Sequence, residues 1–136
     1  MKTFNPIDPF DEEIWEYTPS ITFYEWLKDN CNRNTWSGIE IIDCSNQNII
    51  NLDGVENLPR LRRFNCSSNR LRTFDQLKVL NKIEKLNIDD NEITSIAPIA
   101  NMKNLTEFSC RENRFGETYK TAIISHCARN KIKLQL

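Results

Sequence analysis

Four stretches of this chain repeat one pattern at a fixed interval, and that interval constrains the fold more tightly than any single residue does. Ile39-Glu40-Ile41-Ile42-Asp43-Cys44-Ser45-Asn46-Gln47-Asn48-Ile49 recurs from Leu61, from Ile83 and from Leu105, so the starts lie 22 residues apart with no insertion. Each stretch reads L-x-x-L-x-L-x-x-N-x-L, with Ile, Phe or Cys also filling the apolar slots. Between stretches an apolar residue falls at every third position: Leu52, Val55 and Leu58, then Phe74, Leu77 and Leu80, then Ile96, Ile99 and Met102. The three complete units fill all 21 apolar slots in a chain that is 39% hydrophobic. Chance would do so with a probability of about 10⁻⁹. No unit of this kind can bury its apolar edge alone, so units are expected to stack.

These apolar and asparagine positions resemble the leucine-rich repeat family. The 22-residue spacing resembles its subclass typified by a nuclear phosphatase regulator and a spliceosomal scaffold. The resemblance implies an α/β fold: a short solenoid with a parallel concave β-sheet, an irregular or 3₁₀ convex side, and helical caps at both ends. Locally, slots 4 and 6 alternate inward, which turns slots 3, 5 and 7 outward. The three-residue period of the return leg suits 3₁₀ turns, whose i and i+3 side chains eclipse. Slot 9 holds Asn69, Asn91 and Asn113, with Gln47 in the first unit. An asparagine amide both donates and accepts, so it can serve backbone groups of successive turns. The resemblance implies that these three asparagines form a buried structural ladder, from which Gln47 departs.

The expected organisation is one domain over 1–136: an aromatic-rich N-terminal cap (1–38), repeats (39–115), and a C-terminal cap helix with a final strand (116–136). Thr22 and Glu25 match a capping box, with Phe23, Trp26, Leu27 and Cys31 on one face of the helix that follows. Tyr119, Ala122, Ile123, His126 and Cys127 follow helical spacing, and Ile132, Leu134 and Leu136 alternate with polar residues as in a strand. Eight of the thirteen aromatics lie within residues 1–36. That bias suits either a lid over the first repeat or a docking arm carried by Phe4, Phe10, Trp15 and Tyr17.

The net charge of -1 hides segregation, since residues 60–85 hold eight basic and two acidic side chains. Such a band either pairs with acids on neighbouring rungs or steers an acidic partner. The expected function is a non-enzymatic interaction module that binds another protein, an acidic one if the band is used, through its concave face. Arg63, Asn65, Lys85, Asn87 and Asp89 are the expected contacts, with Arg62 at the rim. The alternative is a structural subunit of a ribonucleoprotein or particle shell, docked through residues 1–36.

Nucleic acid ranks lower, because no stacking aromatics interleave the basic residues. No nucleophile–base pair, cofactor motif or metal-ligand spacing stands out, and His126 is the single histidine. The expectation is therefore no enzyme, cofactor, metal, membrane or small-molecule substrate. Five cysteines without C-x-x-C spacing, and a start lacking an apolar signal segment, point to reduced thiols in the cytoplasm or nucleus. With only 3 glycines, the turns are expected to follow from repeat packing rather than from special backbone angles.

Overall fold

A computed structural model describes residues 19–136. Phe4, Phe10, Trp15 and Tyr17 lie outside the described residues. Among the described residues, strand β1 (Ile21–Thr22), helix α1 (Phe23–Asn30) and a 3₁₀ turn over Arg33–Gly38 come first. Strands β2 (Ile41–Asp43), β3 (Ile49–Asn51), β4 (Arg63–Asn65), β5 (Lys85–Asn87) and β6 (Glu107–Ser109) follow, then helix α2 (Glu117–Arg129) and strand β7 (Lys133–Gln135). Strands β2, β4, β5, β6 and β7 form one parallel sheet in that order. Its register advances one rung per repeat: Ile41 lies beside Arg63, Arg63 beside Lys85, Lys85 beside Glu107 and Glu107 beside Lys133.

The pattern of apolar residues explains both sides of the sheet. Slot 4 and slot 6 residues point into the core, where Phe64, Cys66, Leu86, Ile88, Phe108 and Cys110 are buried. On the return leg the apolar residues are also the hydrogen-bonding residues of the 3₁₀ turns. Leu58 N–H donates to Val55 C=O, Leu80 to Leu77 and Met102 to Ile99. One three-residue period thus sets both the side chains that enter the core and the backbone bonds of the turns at Val55–Asn57, Asp75–Val79 and Ala97–Asn101.

The turn out of each strand departs from the sequence expectation. Asn46, Ser68, Asp90 and Glu112, all in slot 8, adopt left-handed backbone with φ of 57°, 55°, 55° and 55°. These turns do use a special backbone angle, filled by residues other than glycine. The conformation costs about 1 kcal/mol for most L-residues. At the first three positions the slot 8 amide donates to the next rung: Asn46 N–H to Ser67 C=O, Ser68 N–H to Asp89 C=O, and Asp90 N–H to Arg111 C=O. Stacking thus supports the angle at three of the four turns, and Asn46 spends one asparagine of the excess on it.

Both ends of the core are closed by helices. Thr22 accepts from Glu25 N–H while Glu25 accepts from Thr22 N–H, completing the capping box of α1. Phe23, Trp26 and Leu27 are buried over the first repeat, with the Phe23 ring edge-on to Phe64. Cys31 ends α1 as its C-cap and, half-buried, packs against the core. The sequence reading missed two features of this cap. Trp36 is buried from the 3₁₀ turn, its indole N–H donating to Cys31 C=O, and β1 pairs in parallel with β3. At the far end α2 buries Ile123 and Cys127. In the final strand segment Ile132 is buried and Leu134 half-buried, but Leu136 is 38% exposed, so the expected alternation ends before the last residue.

Gly54 locks the N-terminal cap to the first return leg. Its φ is 101°, and a Cβ placed there would lie 2.7 Å from Tyr24 Cβ and 2.9 Å from Tyr24 Cα. Gly54→Ala should therefore cost about 2 kcal/mol or more, read as a lowered urea midpoint. Gly38→Ala is the control, because a Cβ there meets nothing within 4 Å.

Candidate functional site

The outward face of the sheet is positioned by asparagines on its inner side. Asn69 Oδ1 accepts from Gln47 and Ile49 N–H, and its Nδ2 donates to the carbonyls of Cys44, Cys66 and Ser67. Asn91 accepts from Leu71 N–H and donates to Cys66, Ile88 and Asp89 carbonyls. Asn113 repeats this with Ile93 N–H and the carbonyls of Ile88, Cys110 and Arg111. Each amide joins its own turn to the preceding one, so the rungs are fixed relative to one another. Gln47 has no such role: it is exposed, and its Nε2 donates to Ser45 C=O.

Three rows of side chains face outward across the rungs. Ile41, Arg63, Lys85, Glu107 and Lys133 form the first row. Asp43, Asn65, Asn87, Ser109 and Gln135 form the second. Ser45, Ser67, Asp89 and Arg111 continue along the strand exits. The first two rows and Arg111 line a trough of about 390 Å³ that crosses all five strands. Its floor is polar and short-chained. Asp43, Asn65 and Asn87 each turn one side-chain oxygen back onto the N–H two residues ahead, from Ser45, Ser67 and Asp89. The Ser45 bonds hold the Asp43 carboxyl below the usual carboxylate range. The Nδ2 groups of Asn65 and Asn87 make no hydrogen bond among the described residues.

Much of the charge on this face pairs across rungs. Arg62 sits between Glu40 at 2.9 Å and Glu84 at 3.0 Å, and its hydrogen bonds hold the Glu84 carboxyl low. Lys85 lies 3.2 Å from Glu107. Asp89 accepts from Ser109 Oγ at 2.6 Å, from Arg111 N–H at 2.7 Å and from the Arg111 guanidinium at 3.2 Å. Arg72 and Arg114 both approach Glu92. Arg62 and Asp89, expected as contact residues, are thus engaged as clasps between rungs. Arg63 is different: it is exposed, and its guanidinium makes no ion pair among the described residues. The clasps had a signal in the sequence, because Glu40, Arg62 and Glu84, like Lys85 and Glu107 or Asp89 and Arg111, are opposite charges 22 residues apart.

The remaining chemistry is core chemistry. Burial pushes the Cys44 and Cys110 thiols up to about 12, and Cys66 well above its ordinary value. His126 is half-buried beside Tyr119 and Ile123 in an apolar groove of about 190 Å³ against Ile96 and Ile99. No group of three or more metal-ligating side chains occurs among the described residues.

Two outcomes follow for stability. Asn91→Ala strands the Leu71 N–H and leaves the carbonyls of Cys66, Ile88 and Asp89 with one donor each, so it should cost about 2 kcal/mol by denaturation, whereas Gln47→Ala should stay within about 0.5 kcal/mol. The folded chain retains the Cys44 and Cys110 protons at a pH where the unfolded chain, with thiols near 9.0, releases them. Stability from these thiols is therefore complete below pH 9.0 and should fall as pH rises toward about 12, read from urea midpoints across that range.

No protein-family model matches the chain, and no curated protein matches it by sequence. Among solved structures it is similar to internalin C2 of Listeria monocytogenes, at 25% identity and a TM-score of 0.61, over 74% of this chain and 41% of that one. It is also similar to the internalin InlF of the same organism, at 21% identity and a TM-score of 0.64, over 84% of this chain and 34% of that one. The chain thus spans less than half the length of either structure. Both internalins are leucine-rich-repeat proteins. With its parallel sheet, its 3₁₀ return legs and this likeness, the chain is an α/β leucine-rich-repeat solenoid.

Proposed function

We propose that the protein is a non-enzymatic interaction module that binds another protein through the concave strand face. The observation that carries this reading is the trough itself. It crosses every strand of the sheet and is lined by outward side chains of each rung, over the buried Ile42, Phe64, Leu86 and Phe108. Arg63, Asn65, Lys85 and Asn87 are its contact residues, while Arg62 and Asp89 hold the rungs in place around them. The likeness to internalins supports a binding role, and the 3₁₀ return legs support placing the repeats beside the 22-residue phosphatase-regulator type. The five thiols, all unpaired and three of them in slot 6 of the core, support a reducing compartment.

The alternative reading, a structural subunit docked through residues 1–36, rests on Phe4, Phe10, Trp15 and Tyr17, which lie outside the described residues. Of the aromatics within residues 1–36, Phe23, Trp26 and Trp36 are already committed to the cap, where they are buried.

A photo-crosslinking residue at Asn87 tests the concave face in cells of the source organism, with Lys78 on the opposite side as control. The expected result is a discrete adduct from Asn87 that Arg63→Glu with Lys85→Glu removes, and none from Lys78. Adducts from Lys78 alone would overturn the concave reading.

A further inference from the structure

Resting on the concave-face reading, we propose that the trough selects an α-helix laid across the rungs, carrying an apolar residue for Ile41 and, three residues on, a carboxylate for Arg63. Ile41 is 63% exposed, and among the described residues it is the one large hydrophobic side chain exposed on this face. It lies directly beside Arg63 on the next strand. An exposed apolar side chain and a cation without an ion pair therefore occupy neighbouring rungs, about 4.8 Å apart.

That separation chooses the partner's conformation. Along an α-helix, residues i and i+3 rise about 4.5 Å and lie on one face. In an extended strand the next residue on the same face lies about 6.8 Å away, which overshoots one rung. A helix presents an apolar and an acidic side chain in step with Ile41 and Arg63, and a strand does not.

The charges around the pair make the choice one-sided. Lys85, on the following rung, adds positive potential, although its ammonium is shared with Glu107 at 3.2 Å and the Arg62-bound Glu84 carboxylate lies within electrostatic range of both Arg63 and Lys85. Asp43 flanks the pair on the other side, diagonal to Arg63 and held as a carboxylate by the Ser45 amide. A partner carboxylate is thus drawn between Arg63 and Lys85 and repelled from the Asp43 side. Farther along, Glu107 with Lys85 and Asp89 with Arg111 satisfy one another, so the recognition pair lies at the N-terminal half of the face.

The probe is a capped alanine–glutamine helix of about 18 residues with one Leu and a Glu three residues later, titrated by NMR into the 15N-labelled full chain. The expected result is a saturable shift of amides in β2, β4 and β5. Glu→Lys in the peptide should weaken it roughly fivefold or more, as should Arg63→Glu in the protein. The Lys peptide should regain binding to the Arg63→Glu variant, a charge swap that loss of folding cannot imitate. Leu→Ala in the peptide and Ile41→Asp in the protein should each weaken binding, and Val79→Asp on the opposite side should not. No shift at millimolar peptide, or shifts indifferent to these exchanges, would overturn the helix code while leaving the concave crosslink to stand or fall separately. Shifts confined to the convex side and lost in Val79→Asp would overturn both.

Discussion

The four repeats of this solenoid are joined by side-chain amides that each satisfy backbone groups of two turns at once. A parallel stack of three-residue strands leaves carbonyls and N–H groups inside the curve, away from water and beyond the reach of the sheet's own bonds. Left unpaired, each would cost about 1–3 kcal/mol. Asn69, Asn91 and Asn113 supply one acceptor and two donors apiece at that point, and a 22-residue interval brings the next asparagine into place. The tolerance for left-handed Ser68, Asp90 and Glu112 follows from the same geometry, since the strand must turn there for the ladder to form.

Because the inner side carries folding, the outer side is released from it. Its charges divide into two sets. One set ties rungs together, as Arg62 does between Glu40 and Glu84, or Asp89 with Arg111. These exposed pairs contribute modestly to stability. At the N-terminal half of the trough stand Ile41, Arg63, a Lys85 shared with Glu107, and the amides of Asn65 and Asn87. A short module of this kind meets a partner with a few side chains on a rigid grid, and their spacing is set by the sheet.

The fold was legible because period and chemistry agree at each slot. Leu77, Leu80 and Ile83, or Phe64 and Cys66, can be assigned to turn or strand by spacing alone, and all are buried. Slot 8 was not legible, because Asn46, Ser68, Asp90 and Glu112 share no side-chain type and the angle is supported at three of the four by the neighbouring rung. The cap was half legible: Thr22 and Glu25 announce α1, whereas Trp36 and the β1–β3 pairing depend on contacts with no local signature. Arg62 and Arg63 are neighbours in sequence but differ 22 residues away, where Arg62 meets Glu40 and Glu84 and Arg63 meets Ile41 and Lys85. Only the placement of Glu40 and Glu84 on either side of Arg62 separates a clasp from a contact residue.

The central claim is that folding and recognition occupy opposite sides of one sheet. The most direct measurement is the urea-unfolding free energy of an Ile41→Ser, Arg63→Ala double variant beside the unaltered chain. The expected difference is within about 0.5 kcal/mol, since neither side chain enters the core or joins a rung clasp. A loss of about 2 kcal/mol or more would show these residues to be part of what holds the solenoid together, and would contradict the division of labour proposed for the two faces.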